Sequence, residues 1–273
     1  MVHRKRAMPI LFRLAAAALA AALIAGCGST PKPATPAQEA QLPTPKVAEV
    51  SPKDRAKLHT DLAAGYYERG QMDVALEELT EATKLDPDNA NIYNVYGLVY
   101  AVMGEDGKAQ QNFQRALQLA PQDSDIRHNW GWYLCTHGRA QESIAQFDQA
   151  VRNPLYKTPE IALVNAGRCS ASFGDTAAAE QYFKRALAVS PGNPNAAYGL
   201  SFIAYKAGRM DDARGWLRSA VLQANPAPEA LYLGVCVERK LGDKQAEMSF
   251  TSQLKNRYPK SAETAALPTG VCE

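Results

Sequence analysis

Small and apolar residues recur along residues 55–260 with a period far longer than the turn of a helix or the pleat of a strand. Gly70, Gly104, Gly138, Gly174, Gly208 and Gly242 stand 34, 34, 36, 34 and 34 residues apart. Ala82, Ala116, Ala150, Ala186 and Ala220 repeat these intervals, and Ala75, Ala109, Ser143, Ala179, Ala213 and Ala246 form a third ladder in the same register. Prolines close the periods at Pro87, Pro121, Pro154, Pro191, Pro226 and Pro259, where they stop a helix from running on. Alanine is abundant and strand formers are thin, so each period predicts a pair of helices joined by a turn at its glycine.

A 34-residue helix–turn–helix period resembles the tetratricopeptide repeat (TPR). In repeat two, Gly97 and Ala109 are small where the two helices cross, and Tyr93, Tyr96, Tyr100 and Phe113 fill the space around the crossing. Repeat one matches through Leu62, Ala63, Tyr66, Ala75, Leu79 and Ala82, and repeat three through Trp130, Gly131, Leu134, Phe147 and Ala150. Repeat four uses Gly167, Ala179, Phe183 and Ala186; repeat five uses Leu200, Ala213, Leu217 and Ala220. Repeat six is weaker: Gly234, Ala246 and Phe250 fit, but Gly242 sits one place late, as befits a terminal cap. The expected fold is therefore all-α, a right-handed superhelix of about six TPR helix pairs over 55–260 with a C-terminal tail at 261–273. A two-residue insertion at 153–159, between repeats three and four, is expected to widen the stacking locally or form a small surface loop.

Charge changes the picture only at the N-terminus. The formal charge is +2, but Arg4, Lys5, Arg6 and Arg13 precede residue 27 with no acidic residue among them. The remainder holds 26 basic against 28 acidic residues, so nothing there points to a nucleic-acid surface. Leu14–Ile24 is apolar yet shorter than the roughly 20 residues of a spanning helix, which reads as a signal peptide over 1–26. It ends in Leu23-Ile24-Ala25-Gly26-Cys27, which resembles the lipobox of bacterial lipoproteins. That resemblance implies acylation of Cys27, and Gly28 after it favours the periplasmic face of the outer membrane. Residues 27–54, rich in Pro, Ala, Thr and Gln, read as a flexible tether that holds the repeats off the bilayer.

Several stretches are more specific than the repeat itself. They are Tyr66-Tyr67-Glu68-Arg69-Gly70-Gln71-Met72-Asp73, Asn129-Trp130-Gly131-Trp132-Tyr133-Leu134-Cys135, Asn153-Pro154-Leu155-Tyr156 and Leu163-Val164-Asn165-Ala166-Gly167-Arg168-Cys169. With the lipobox and six repeats, they resemble the type IV pilus biogenesis/stability lipoproteins of the PilW/PilF (pilotin) family, from the lipobox to about Ala265. That resemblance implies an outer-membrane lipoprotein that binds pilus secretin subunits and favours formation of the secretin ring, or that stabilises the assembled pilus. The repeats alone imply only a periplasmic scaffold, for instance for β-barrel assembly or peptidoglycan synthesis.

Four cysteines follow Cys27. Cys135 and Cys169 fall on the first helices of repeats three and four, which pack side by side, and the family carries cysteines in the same two stretches. They form a disulfide or remain two buried thiols acting as small hydrophobes. Cys236 and Cys272 allow a second bridge that pins the tail to repeat six, although nothing in the sequence fixes the tail.

A partner is expected in the concave groove lined by the first helices. The groove positions include Thr60, Asp61, Tyr67, Asn94, Leu98, Ala101, His128, Asn129, Trp132, Asn165, Arg168, Tyr198, Phe202 and Tyr205. Asn129 and Asn165 are equivalent, and an amide can bond both the N–H and the C=O of an extended peptide; Trp132, Tyr198, Phe202 and Tyr205 would supply apolar anchors. The alternative is that the asparagines tie local structure and the aromatics pack between helices. His128, Cys135 and His137 do not converge with zinc spacing, so no metal is expected. No Gly-x-Ser-x-Gly, His-Glu-x-x-His or phosphate loop is present, and the acidic pairs Glu77-Glu78 and Asp211-Asp212 fall on solvated faces. The sequence thus predicts protein binding without catalysis, cofactor or small-molecule substrate.

Overall fold

The computed structural model describes residues 50–270 and Cys272, which form thirteen α-helices and no strand. The signal peptide, Cys27 and the tether as far as residue 49 lie outside the described residues. Six antiparallel pairs follow one another: α1 Pro52–Glu68 with α2 Met72–Leu85, α3 Ala90–Val102 with α4 Asp106–Leu119, and α5 Ser124–Thr136 with α6 Ala140–Arg152. The row continues with α7 Pro159–Ser172 and α8 Thr176–Val189, α9 Pro194–Lys206 and α10 Met210–Val221, and α11 Pro228–Leu241 and α12 Lys244–Arg257. A short α13, Ala262–Ala266, and a 3-10 turn, Leu267–Thr269, follow. Helix α1 starts ahead of the boundary expected at residue 55 because Ser51-Pro52 is a start signal: the Ser51 Oγ accepts the Asp54 N–H at 3.1 Å, and Pro52 needs no N–H at the first helical position.

The six ladder glycines end the first helices at φ between 73° and 83°, a left-handed conformation that costs glycine little. The residue after each glycine donates back across the turn, Gln71 N–H to the Tyr66 carbonyl and Glu105 N–H to the Tyr100 carbonyl, both at 2.9 Å. Carbonyls that a helix end would leave unpaired are thereby satisfied.

Where the paired helices cross, an aromatic ring is seated on a glycine. A Cβ added to Gly97, Gly131, Gly167 or Gly234 would lie 2.7–3.0 Å from the ring of Phe113, Phe147, Phe183 or Phe250, each sixteen residues on. Repeats one and five replace both members together: Ala63 faces Leu79 and Ser201 faces Leu217 at the same spacing, with all four residues buried. The ring of Phe183 also touches the next repeat, since a Cβ on Gly199 would come within 2.5 Å of it. Each second helix then packs on the following first helix. The first helices lie beside one another, α1 on α3 and so on to α9 on α11. They therefore form the inner layer of the superhelix and line its concave side.

The joint between repeats three and four is built differently. Its connection, 153–158, turns Tyr156 inward against Phe147, Ala150 and Ala162 and leaves Leu155 84% exposed. Asn153 holds this shape: its Oδ1 accepts the Leu155 N–H at 3.0 Å, and its Nδ2 donates to Ser124 Oγ at 3.2 Å, which in turn donates to the Ala150 carbonyl. The insertion is thus half surface loop and half core. On the inner side a disulfide joins Cys135 to Cys169, with Cα atoms 5.9 Å apart.

The tail, whose path the sequence left open, folds back on repeat six. Cys236 is bridged to Cys272 with Cα atoms 5.6 Å apart; the Tyr205 hydroxyl donates to the Cys272 carbonyl at 2.9 Å, and Arg239 Nη1 to that of Gly270 at 3.0 Å. Replacing Cys135 and Cys169 together by Ser should lower stability by about 3–4 kcal/mol, the loop-entropy value for a bridge of this span. Urea unfolding of the oxidised parent and the double variant measures it; coincident midpoints would show that the bridge does not restrain the joint.

Candidate partner-binding groove

The residues expected in the groove divide into two classes. Thr60 is buried, and its hydroxyl donates to the Ala56 carbonyl in its own helix, so it does not present itself to a partner. Asn94 is likewise buried, donating to Asn91 Oδ1 at 3.2 Å. These two expectations are corrected: both side chains, at the fifth helix position, are buried and bonded inside the repeat array, Thr60 within its own helix and Asn94 also by Asn129 of the next first helix. Asp61 is exposed and paired with Lys57 at 2.8 Å. Tyr67, Leu98 and Ala101 are half-buried against the cores of repeats one to three.

The asparagines stitch one repeat to the next. Asn129 Nδ2 donates to Asn94 Oδ1 at 3.1 Å, and Asn165 Nδ2, at the equivalent position, bonds His128 Nε2 at 3.2 Å. Farther along, Arg168 Nη2 donates to Asn195 Oδ1 at 3.1 Å. One N–H of each amide is therefore used between repeats, and the Oδ1 atoms of Asn129 and Asn165 remain as acceptors for peptide N–H groups. His128 stands edge-on to Phe147, with its Nδ1 buried and unpartnered; burial holds the imidazole below its ordinary pKa.

Apolar anchors are exposed at the ninth helix position, Trp132 by 36% and Phe202 by 37%. Arg168, exposed between them in sequence, occupies the same position in repeat four. Tyr198 and Phe202 stack with centroids 6.3 Å apart. Tyr205 is only 7% exposed because its hydroxyl is tied to the tail, yet its ring borders an open pocket of about 300 Å3 with Tyr198, Phe202 and Tyr232. Sequence reasoning missed Ile161, 46% exposed at the second position of repeat four, and the pocket residues Glu229, Tyr232 and Glu263. Extending the position rule to repeat six would have found Tyr232; Glu263 belongs to the tail and had no such signal.

The stretches that carried the family resemblance are largely structural. Trp130 stacks on Tyr133 at 5.2 Å, Tyr133 stacks on His137 at 4.0 Å, and Phe113 packs against both Trp130 and Tyr133. His137 Nε2 is paired with Asp106 at 2.9 Å. Among the described residues no group of three His, Cys, Asp or Glu side chains is placed to hold a metal ion, and no helix is long and apolar enough to cross a membrane.

Family models described as "Tetratricopeptide repeat" match residues 90–123, 128–194 and 171–233, and one described as "TPR repeat" matches 65–104. A solved structure described as PilW, a widely conserved type IV pilus biogenesis factor, is 33% identical with a TM-score of 0.69, covering 78% of this chain and 97% of its own. This chain belongs to the tetratricopeptide-repeat family of type IV pilus biogenesis proteins. The type IV pilus assembly protein PilF of Pseudomonas aeruginosa is 25% identical over 212 residues, 77% of this chain and 84% of that relative. A solved Pseudomonas aeruginosa PilF structure shares the fold, with a TM-score of 0.70 at 23% identity, over 81% of this chain and 99% of that one. The family resemblance read from the sequence and the all-α superhelix it implied are both borne out.

Half-buried His128, with its Nδ1 enclosed, is expected to make the stability of this fold acid-sensitive. Its folded pKa is depressed, so the unfolded chain takes up the proton more readily; stability is full above the unfolded value near 6.5 and falls as pH drops through and below it. Thermal melts of the parent between about pH 7.5 and about pH 5.5 should lose more stability than those of His128→Gln. Parallel pH profiles would refute this role.

Proposed function

We propose that this chain is a pilotin, an outer-membrane lipoprotein anchored through acylated Cys27. Its inner helix layer binds an extended segment of the type IV pilus secretin and favours assembly of the secretin ring. The observation that carries this reading is the combination of pilus-family membership with a groove holding exposed aromatics and unspent amide oxygens. Trp132 and Phe202 supply apolar anchors at equivalent positions two repeats apart, and Asn129 and Asn165 supply acceptors for the backbone of a strand-like segment. No step of this function needs bond chemistry: the role is binding and placement.

The lipobox, with Gly28 after Cys27, supports the outer-membrane site, and two or more acyl chains give the stable attachment that one chain lacks. Deletion of the gene should reduce heat-resistant secretin multimers and surface pili together. Complementation with the parent should restore both, while Cys27→Ala should yield a soluble protein that fails to target secretin. The Trp132→Ala/Phe202→Ala variant should stay anchored and folded yet restore few multimers. Normal multimers and pili in the deletion strain would end the secretin reading and leave a scaffold for another envelope machine.

A further inference from the structure

The groove ends at repeats five and six in the open pocket bordered by Tyr198, Phe202, Tyr205 and Tyr232. Two carboxylates, Glu229 at the start of α11 and Glu263 on α13, share its lining with Leu233, Cys236, Ala262 and Ala266, and no basic side chain is part of it. Neither carboxylate makes an ion pair or hydrogen bond among the described residues. Both act on Tyr198, whose hydroxyl is pushed up first by burial and then by Glu229, with a smaller contribution from Glu263. Arg168, which opposes the carboxylates at Tyr198, lines an adjoining hollow that Glu229 also borders, but its Nη2 donates to Asn195 Oδ1 and makes no ion pair with Glu229.

The wall bearing Glu263 is fixed in place. The Cys236–Cys272 bridge and the bonds from Tyr205 and Arg239 hold the end of the tail. The Thr264 hydroxyl donates to the Tyr258 carbonyl at 2.7 Å and ties α13 back to the end of α12. The pocket therefore presents aromatic rings and two carboxylates without an ion pair, on a wall held by these bonds.

These features select a cation. An aromatic face attracts an ammonium or guanidinium group electrostatically, and the carboxylates supply the counter-charge. A neutral apolar side chain would use the rings but dehydrate both carboxylates without a partner, and an anion would be repelled. We propose that this pocket receives a Lys or Arg side chain from the extended protein segment lying in the groove. The inference rests on the reading of the concave face as a peptide groove, but not on the identity of the partner.

Fluorescein-labelled peptide pools with one fixed central residue, Lys, Arg, Gln, Leu or Glu, and randomised flanks test it by anisotropy against the full chain in detergent. The Lys and Arg pools should bind about tenfold tighter than the Gln and Glu pools, with an advantage that shrinks as salt rises. Glu229→Gln/Glu263→Gln should abolish that advantage while leaving the Leu pool and the melting temperature unchanged. Cys272→Ser should weaken the Lys pool by releasing the wall that carries Glu263. A preference for Leu or Glu, an undiminished Lys preference in the double variant, or no binding of any pool would overturn the proposal. So would self-association of the parent that the double variant abolishes, since the occupant would then be a second copy. The assay contains no pilus component, so its failure leaves the secretin reading standing.

Discussion

In four of the six repeats a phenyl ring of the second helix sits on a glycine of the first, and the rest of the molecule is arranged around that contact. With no Cβ on Gly97, Gly131, Gly167 or Gly234, the two helices approach closely enough for the ring to occupy the crossing itself. Close approach leaves the second helix free to pack on the next first helix, and the first helices then lie side by side. Phe183, pressed between Gly167 and Gly199, extends the same contact across a repeat boundary. The concave groove is therefore a consequence of packing inside each repeat.

The groove chemistry follows from that arrangement. Side-by-side first helices bring side chains at their fifth and sixth positions together, which is why Asn129 meets Asn94 and Asn165 meets His128. In repeats three to five the ninth position carries Trp132, Arg168 and Phe202 towards solvent. Polar groups thus regularise the wall, and larger side chains supply the surface a partner meets. The row is reinforced where it departs from regularity. A disulfide holds the joint at the insertion, and a second bridge fastens the tail that closes the final pocket.

The helix pairs were legible because their constraints are local and repeated. A left-handed glycine, a small residue at each crossing and a terminating proline recur at one spacing. The covariation of Gly with Phe and of Ala63 or Ser201 with Leu was present in the sequence too, as a sixteen-residue relation. Groove membership was legible only as a position rule, which could not tell a side chain spent on its neighbour, such as Asn94 or Thr60, from one left exposed, such as Trp132. That difference depends on how near the adjacent first helix lies. Nor could the rule reach the tail: a bridge and a hydrogen bond that each span more than thirty residues help bring Glu263 to the same pocket as Glu229.

The double-mutant cycle of Gly97→Ala with Phe113→Leu tests most directly whether the ring-on-glycine crossing governs the architecture. Repeats one and five already carry this compensated form as Ala63 with Leu79 and Ser201 with Leu217. By chemical unfolding, Gly97→Ala alone should cost about 1–3 kcal/mol through overpacking against Phe113, whose ring would lie 2.8 Å from the new Cβ. In the Phe113→Leu background the same substitution should cost little, leaving a coupling of about 1 kcal/mol or more. Strictly additive costs would contradict the account.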